Sequence, residues 1–344
     1  MRTPGFWSAR RATLAANLLR PAAFLYGAVA AHRLKRPGMR ADAPVVCVGN
    51  FTVGGAGKTP TAIALAHVLR EMGQTPAFLT RGYGGTLPGP VVVDRTTHSF
   101  RDVGDEPLLL ARVAPTIVAR HRPAGARLCV AQGANVILMD DGLQNPSLRK
   151  DLSLAVLDGE AGLGNGLCLP AGPLRAPMAA QWPLVDAVVV LGEPCGAGAA
   201  AEEAAARGIP LLAATLQPDA QARAHLRGRR VLAFAGIGRP QKFFASLESC
   251  GAEIVERRAF SDHHPYAVPE IERMVEEARA NGLTPVTTEK DAVRIAALGR
   301  PDLADGIKTL PVTLAFAEPA RVRALLGECL ARRRADGRAA VHLS

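Results

Sequence analysis

The stretch VVCVGNFTVGGAGKTPTAIALAHVLREM, residues 45–72, decides how the rest of the chain is read. It opens on an apolar, β-branched run (Val45, Val46, Val48) closed by Gly49, the pattern of a short buried strand. Gly54, Gly55 and Gly57 form a loop that leads into Lys58-Thr59, and Pro60 stands where the first helical turn tolerates a residue without an N–H. Leu65, Val68, Leu69 and Met72 then recur at helical spacing until Gly73. Strand, glycine loop, Lys-Thr, helix is the order of a phosphate-binding loop. Its backbone N–H groups cradle phosphates, its lysine reaches the outer ones, and its threonine hydroxyl faces Mg²⁺. The expected nucleotide-binding residues are therefore Thr52, Val53, Gly54, Gly55, Ala56, Gly57, Lys58 and Thr59. A strict loop has glycine at the first of these positions, where this chain has Thr52. The competing interpretation is a Gly-rich turn before an ordinary amphipathic helix.

A chain of 344 residues can bury a sizeable core and is expected to form two domains. Its 48% hydrophobic and 21% charged residues are an ordinary α/β balance. Six cysteines are scattered without a CxxC pair, and Cys47 lies inside an apolar strand. Reduced structural thiols are expected, with neither a disulfide framework nor a zinc site. The net charge of +10 is local: before Asp42 there is no acidic residue, while Arg2, Arg10, Arg11, Arg20, Arg33, Lys35, Arg36 and Arg40 contribute +8. Nucleic-acid binding would want a basic face on the folded domain, and three tyrosines and two tryptophans give little to stack bases on. The charge points to an anionic surface met by the first segment.

Residues 1–40 mix these cations with Phe6, Trp7, Leu14, Leu18, Leu19, Phe24, Leu25, Tyr26 and Val29. Arg20 and Pro21 interrupt the run before it reaches the roughly 18 apolar residues of a membrane span. Trp7, Leu14 and Leu18 would share one helical face. Three interpretations compete: an interfacial helix with snorkelling arginines, a cleaved signal or transit peptide, and a plain docking helix. A secretory signal fits badly with an ATP site.

Beyond the loop, short apolar strands are expected at 75–80, 91–94, 116–119, 136–139, 152–157 and 187–191, several ending in Gly or Asp and alternating with helices. That alternation predicts an α/β fold: a P-loop NTPase-like, mostly parallel sheet with helices on both faces. The polar, basic text at 218–230 marks a boundary, after which strands near 231–238, 253–257, 284–288 and 308–313 predict a second, smaller α/β domain. The expected division is a basic N-terminal membrane-associating segment at 1–40, a P-loop core at 41–220, the smaller domain at 221–330 and a frayed basic tail at 331–344.

Polar clusters fall at the expected strand ends. Asp140-Asp141 follows an apolar strand about eighty residues after Lys58, the place of carboxylates that hold Mg²⁺ directly or through water; the alternative is a plain polar strand end, since Asp is common in turns. Acidic residues in Gly104-Asp105-Glu106-Pro107 suit a helix start whether or not they catalyse. In Ser261-Asp262-His263-His264-Pro265, adjacent histidines point in different directions, so a general base, a ligand pair and a turn all remain open. Thr287-Thr288-Glu289-Lys290-Asp291 has the form of a helix cap.

Taken in order, VGNFTVGGAGKTP, RGYGG, GDEP, DDGLQ, GNGLCLPAGPLR, FSDHHPY and TTEKDAVR resemble the tetraacyldisaccharide 4'-kinases of lipid A biosynthesis, from the basic N-terminal segment to about residue 315. The resemblance implies transfer of the γ-phosphoryl group of ATP, with Mg²⁺, to the 4'-hydroxyl of a lipid disaccharide 1-phosphate. It implies peripheral attachment at the cytoplasmic face of the bacterial inner membrane. It also implies roles: Lys58 and Thr59 in the loop, Asp105 and His263 as catalytic base and partner, and Glu106, Asp140 and Asp141 around metal and nucleotide. Arg175 would meet phosphate charge. The family's own loop shares the shape seen at Thr52. Two rivals remain: a P-loop enzyme with a soluble substrate, which leaves the first forty residues without a job, and a slowly hydrolysing nucleotide switch. No guanine-reading Asn-Lys-x-Asp motif is present.

Overall fold

The computed structural model of the chain describes residues 4–8 and 13–341. Thirteen strands order the description: β1 (Val45–Gly49), β2 (Pro76–Thr80), β3 (Val91–Val92), β4 (Thr116–Val118), β5 (Val136–Asp140), β6 (Leu152–Asp158), β7 (Ala187–Leu191), β8 (Leu211–Pro218), β9 (Arg230–Ala235), β10 (Glu253–Ala259), β11 (Thr284–Thr288), β12 (Lys308–Leu310) and β13 (Val312–Phe316). They form a nine-stranded sheet, β13-β8-β7-β6-β1-β5-β2-β4-β3, and a four-stranded one, β10-β9-β11-β12. Every pairing is parallel except β3 with β4 and β13 with β8 at the two edges.

Both faces of the large sheet are covered, which is why its central strands read as unbroken apolar runs. Val46 and Val48 of β1 face the helix Lys58–Glu71 through Ala62, Leu65 and Leu69. Val45 and Cys47 face the helix Arg122–Ala131 through Ala126 and Cys129. The first crossovers run from β1 toward β2 and β4; β5 then returns beside β1, and β6 opens the other half of the sheet. The chain thus reverses direction at the carboxyl end of β1, where open α/β sheets collect ligands.

The smaller sheet buries Val231, Ala233 and Ala235 against Phe243, Phe244 and Leu247 on one side. Leu232 and Phe234 pack on Ile271, Met274 and Ala278 on the other. Its helix Glu289–Ala296 meets the larger lobe, with Val293 seated among Val103, Leu108 and Leu109.

Four expectations change. The run 308–313 is two strands: Pro311, which has no N–H to give a ladder, separates β12 in the small sheet from β13 in the large one. The segment expected to close the second domain at 330 therefore returns to the first. The tail at 331–344 is helical as far as Val341, in a helix that begins at Pro319 and buries Val322, Leu326, Cys329 and Leu330 in the main core. The polar stretch at 218–230, by contrast, is where the chain passes from the large sheet to the small one: β8 ends, a helix, Ala220–Leu226, capped by the Asp219 carboxylate follows, and β9 begins. Finally, residues Leu14–Leu34 form one continuous helix through Pro21, long and apolar enough to cross a membrane by length and composition. Trp7 lies in a separate short turn, so it shares no helical face with Leu14 and Leu18. Arg2, Arg10 and Arg11 lie outside the described residues.

Candidate active site

The phosphate loop sits where β1 ends. Its first half is stitched to the segment 173–175: Val53 N donates to Pro173 O (2.9 Å), Arg175 N to Phe51 O (2.9 Å) and Arg175 Nε to Thr52 O (3.0 Å). Thr52 bridges Leu174 in extended pairing, so nothing at this position demands glycine. The demand comes later. Gly57 has φ +87°, and a Cβ there would lie 2.4 Å from Leu191 Cδ2. Lys58 Nζ stands 3.4 Å from Gly54 O and 3.8 Å from Asp141 Oδ1, and Thr59 is buried beside it.

The two strand-end carboxylates part company. Asp141, with φ +51°, is gripped by both Arg175 amines at 2.7 and 3.1 Å. Burial pushes its carboxyl up, but Lys58 and Arg175 outweigh that and hold it below the usual range. Asp140 is fully buried, and among the described residues neither of its oxygens has a hydrogen-bond partner. Burial first, then Glu106 and Asp141, raise its pKa to about 7. Asn50 is equally buried and its carboxamide is equally unpartnered. Val48 pairs with Asp140 across β1 and β5, and Asn50 follows Val48 by two residues, so both polar groups lie on the face carrying the helix Lys58–Glu71. Four orphaned buried polar atoms beneath a phosphate loop are a seat for something the protein does not itself supply. Among the described residues no group of three or more His, Cys, Asp or Glu is arranged to hold a metal. Phosphate loops need none, because Mg²⁺ keeps waters and phosphate oxygens as ligands.

Across the cleft the structure joins two motifs 158 positions apart: His263 Nδ1 lies 3.0 Å from Asp105 Oδ2. Asp105 opens the helix Asp105–Leu110 after Gly104, which has φ +91° and where a Cβ would lie only 2.4 Å from Tyr83 O. His263 holds φ +56°, with its N–H on Gly236 O at 3.0 Å. The Tyr83 ring packs 5.3 Å from its imidazole. Burial raises the Asp105 carboxyl, yet the His263 hydrogen bond and the charges of Lys290 and Arg294 bring it below the ordinary value. The bond to Asp105 raises His263, against the opposing effect of burial. His264 turns away, bonded to both Glu270 oxygens (3.1 and 2.9 Å) and stacked on Phe260.

Other placements were not legible in the sequence. Glu106 is paired with Lys290 at 2.5 Å, so its carboxylate is already engaged. Asp158, at the end of β6, accepts Lys242 (2.6 Å) and Arg239 from the smaller lobe. Arg294 reaches Asp105 from below. For Lys290 and Arg294 the only local signal was their place in the motif at 287–294.

A glycine loop with Lys-Thr at the switch point of a parallel sheet, a buried carboxylate on the neighbouring strand, and a carboxylate–imidazole pair facing them define a P-loop phosphotransferase. The sequence profile of the tetraacyldisaccharide-1-P 4'-kinase family matches residues 15–331, and the chain belongs to that family. It is 60% identical over 332 residues to the tetraacyldisaccharide 4'-kinase of Methylobacterium sp. (strain 4-46), covering 96% of this chain and 98% of that one. It is 59% identical over 319 residues to the Methylobacterium nodulans enzyme of the same name, covering 93% of each. The fold matches the crystal structure of LpxK from Aquifex aeolicus in complex with ATP, with a TM-score of 0.70, 23% identity, and coverage of 92% of this chain and 99% of that one.

Proposed function

We propose that Asp105 and His263 act as one base on the acceptor hydroxyl, with Lys58, Thr59 and Asp140 organising the nucleotide. As a member of its family the chain is an ATP-dependent kinase that phosphorylates the lipid A precursor, tetraacyldisaccharide 1-phosphate, at its 4'-hydroxyl. The observation that carries the assignment of roles is the 3.0 Å contact between His263 Nδ1 and Asp105 Oδ2, made by residues of different lobes beside the phosphate loop. A sugar hydroxyl is a weak nucleophile at neutral pH, and a positioned base contributes about 10²–10⁴-fold. The imidazole takes the hydroxyl proton as the oxygen attacks the γ-phosphorus; the bond to the β-phosphate oxygen breaks and ADP departs. Asp105 orients the ring and balances its charge. Lys58 and the loop N–H groups stabilise charge on the phosphates.

Thr59 and Asp140 are the residues suited to a hydrated Mg²⁺, with the orphaned oxygens of Asp140 as the physical reason; Glu106, already held by Lys290, adds negative charge beside them. When bound, Mg²⁺ supplies charge neutralisation at the β- and γ-phosphates. Asp141 and Arg175 form the wall beside it, their mutual pairing fixing the arginine near the phosphates.

The helix Leu14–Leu34 is the membrane contact in this proposal. It turns small residues, Ala16, Ala23 and Gly27, toward the protein and leaves Leu14, Leu18, Phe24, Leu25 and Val29 exposed. A water-soluble docking helix would do the reverse. Attachment at the cytoplasmic face, where ATP is, follows from the reaction. Incubation with radiolabelled ATP and tetraacyldisaccharide 1-phosphate, with and without Mg²⁺, tests the assignment: label at the 4'-position only with Mg²⁺ is expected, and labelling indifferent to Mg²⁺ would remove the metal from the site.

A further inference from the structure

We infer that Arg294 is the positioning residue that assembles the Asp105–His263 pair, holding both members from beneath although they belong to different lobes. Its guanidinium is 1% exposed, in the helix Glu289–Ala296. Toward the larger lobe its Nε lies 3.3 Å from Asp105 Oδ2, the same oxygen that His263 Nδ1 meets at 3.0 Å. Toward its own lobe both terminal amines donate to Gly236 O at 3.0 Å, and one also donates to His264 O at 3.3 Å. Gly236 O also takes the backbone N–H of His263. One side chain therefore fixes the loop that carries the imidazole and the carboxylate that the imidazole must meet.

Arg294 is itself held. Asp291, fully buried, pairs with it at 3.0 Å and accepts from Tyr266 Oη (2.9 Å) and Gly236 N (3.1 Å), while Thr288 Oγ1 closes on its other oxygen at 2.6 Å. The Tyr266 ring lies 5.9 Å from the guanidinium carbon. A buried charge without this satisfaction would be expensive, and a merely structural salt bridge could have stopped at Asp291. The extra contact with Asp105 crosses the lobe boundary and ends on the reacting pair. Arginine is suited to this because its planar fork serves several acceptors at once and never loses its proton, so Asp105 faces a permanent cation. Lysine could keep the charge but not the fork.

The proposal rests on the assignment of Asp105 and His263 as the base. The experiment pairs steady-state kinetics of Arg294→Lys and Arg294→Met, alone and in His263→Ala, with ¹⁵N-histidine spectra of the free protein. The His263 resonance is assigned by its loss in His263→Ala. Arg294→Lys is expected to keep the fold and the KM for ATP. Its kcat should fall by about a hundredfold, the order that misplacing a reacting group costs, and the His263 Nδ1 resonance should move. In His263→Ala the same substitution should cost little more. Loss that multiplies in the His263→Ala background, or an unmoved His263 resonance, would overturn the inference. Should both arginine variants fail to fold, Asp291→Asn loosens Arg294 without touching Asp105, and the same resonance decides. The spectrum needs neither substrate, so ordinary kcat in His263→Ala would refute the base assignment while this placement is still judged separately.

Discussion

Replacing Asp140 by asparagine should make the nucleotide-free protein more stable while removing the response to Mg²⁺ that its proposed role requires. Asp140 has no exposed surface and no partner for either oxygen. Its pKa rises from 3.8 to about 7 on folding. A raised carboxylate pKa means that the folded state holds a proton the unfolded state has lost, so stability falls as pH climbs between those two values and is flat above the upper one. Roughly three pKa units at about 1.36 kcal/mol each give a penalty of about 4 kcal/mol above pH 7. Asparagine is the same shape without the charge, and the penalty goes with it. Thermal melts should show Asp140→Asn above wild type at pH 8, the gap narrowing toward pH 4. Mg²⁺ with ATP should then stabilise wild type well beyond ATP alone and the variant far less. A variant that melts below wild type at pH 8, or gains equally from Mg²⁺, would refute the idea that this carboxylate is an orphan awaiting a cation.

Lys58→Ala should keep its melting temperature and lose at least about a hundredfold in kcat, the scale of one lost charge-stabilising donor; near-normal turnover in a folded variant would sink its assigned role. His263 should titrate above 6.5 in NMR, because the Asp105 bond favours its cation. The stability this pair adds is full below the unfolded value and lost as pH rises through the folded one, while kcat rises over the same window as the base is freed. In Asp105→Asn the titration should return toward 6.5, and no change would uncouple the pair. Phe24→Ser with Leu25→Ser, on the exposed helix face, should weaken sedimentation with anionic vesicles and leave soluble ATP binding intact. Unchanged sedimentation would make Leu14–Leu34 a plain docking helix.

Sequence pattern carried the central sheet well because parallel strands buried on both faces are apolar throughout, and β1, β5, β6 and β7 have no other interpretation. The phosphate loop was equally legible, since strand, glycines and Lys-Thr are contiguous. What pattern could not carry was anything set by the return of distant chain. β13 looked like the end of β12 because Pro311 is one residue in an apolar run, and only the edge of the other sheet distinguishes them. The helix Leu14–Leu34 looked broken because Arg20 and Pro21 are read locally, whereas the buried Ala16, Ala23 and Gly27 face follows from packing. In the site, residue types alone left Asp105 and His263 open and the family resemblance singled them out, while the division between a tethered Asp141 and an orphaned Asp140 depends on Arg175 arriving from 34 positions away. Arg294 left no trace beyond its place in a motif.

The claim that a carboxylate and an imidazole from two lobes act as one base is tested most directly by a double-mutant cycle in single-turnover phosphoryl transfer. Asp105→Ala and His263→Ala should each cut the transfer rate by about 10²–10⁴-fold with ATP affinity unchanged, and the double variant should be scarcely slower than the worse single. Losses that multiply would contradict the account, assigning the two residues separate tasks on either side of the cleft.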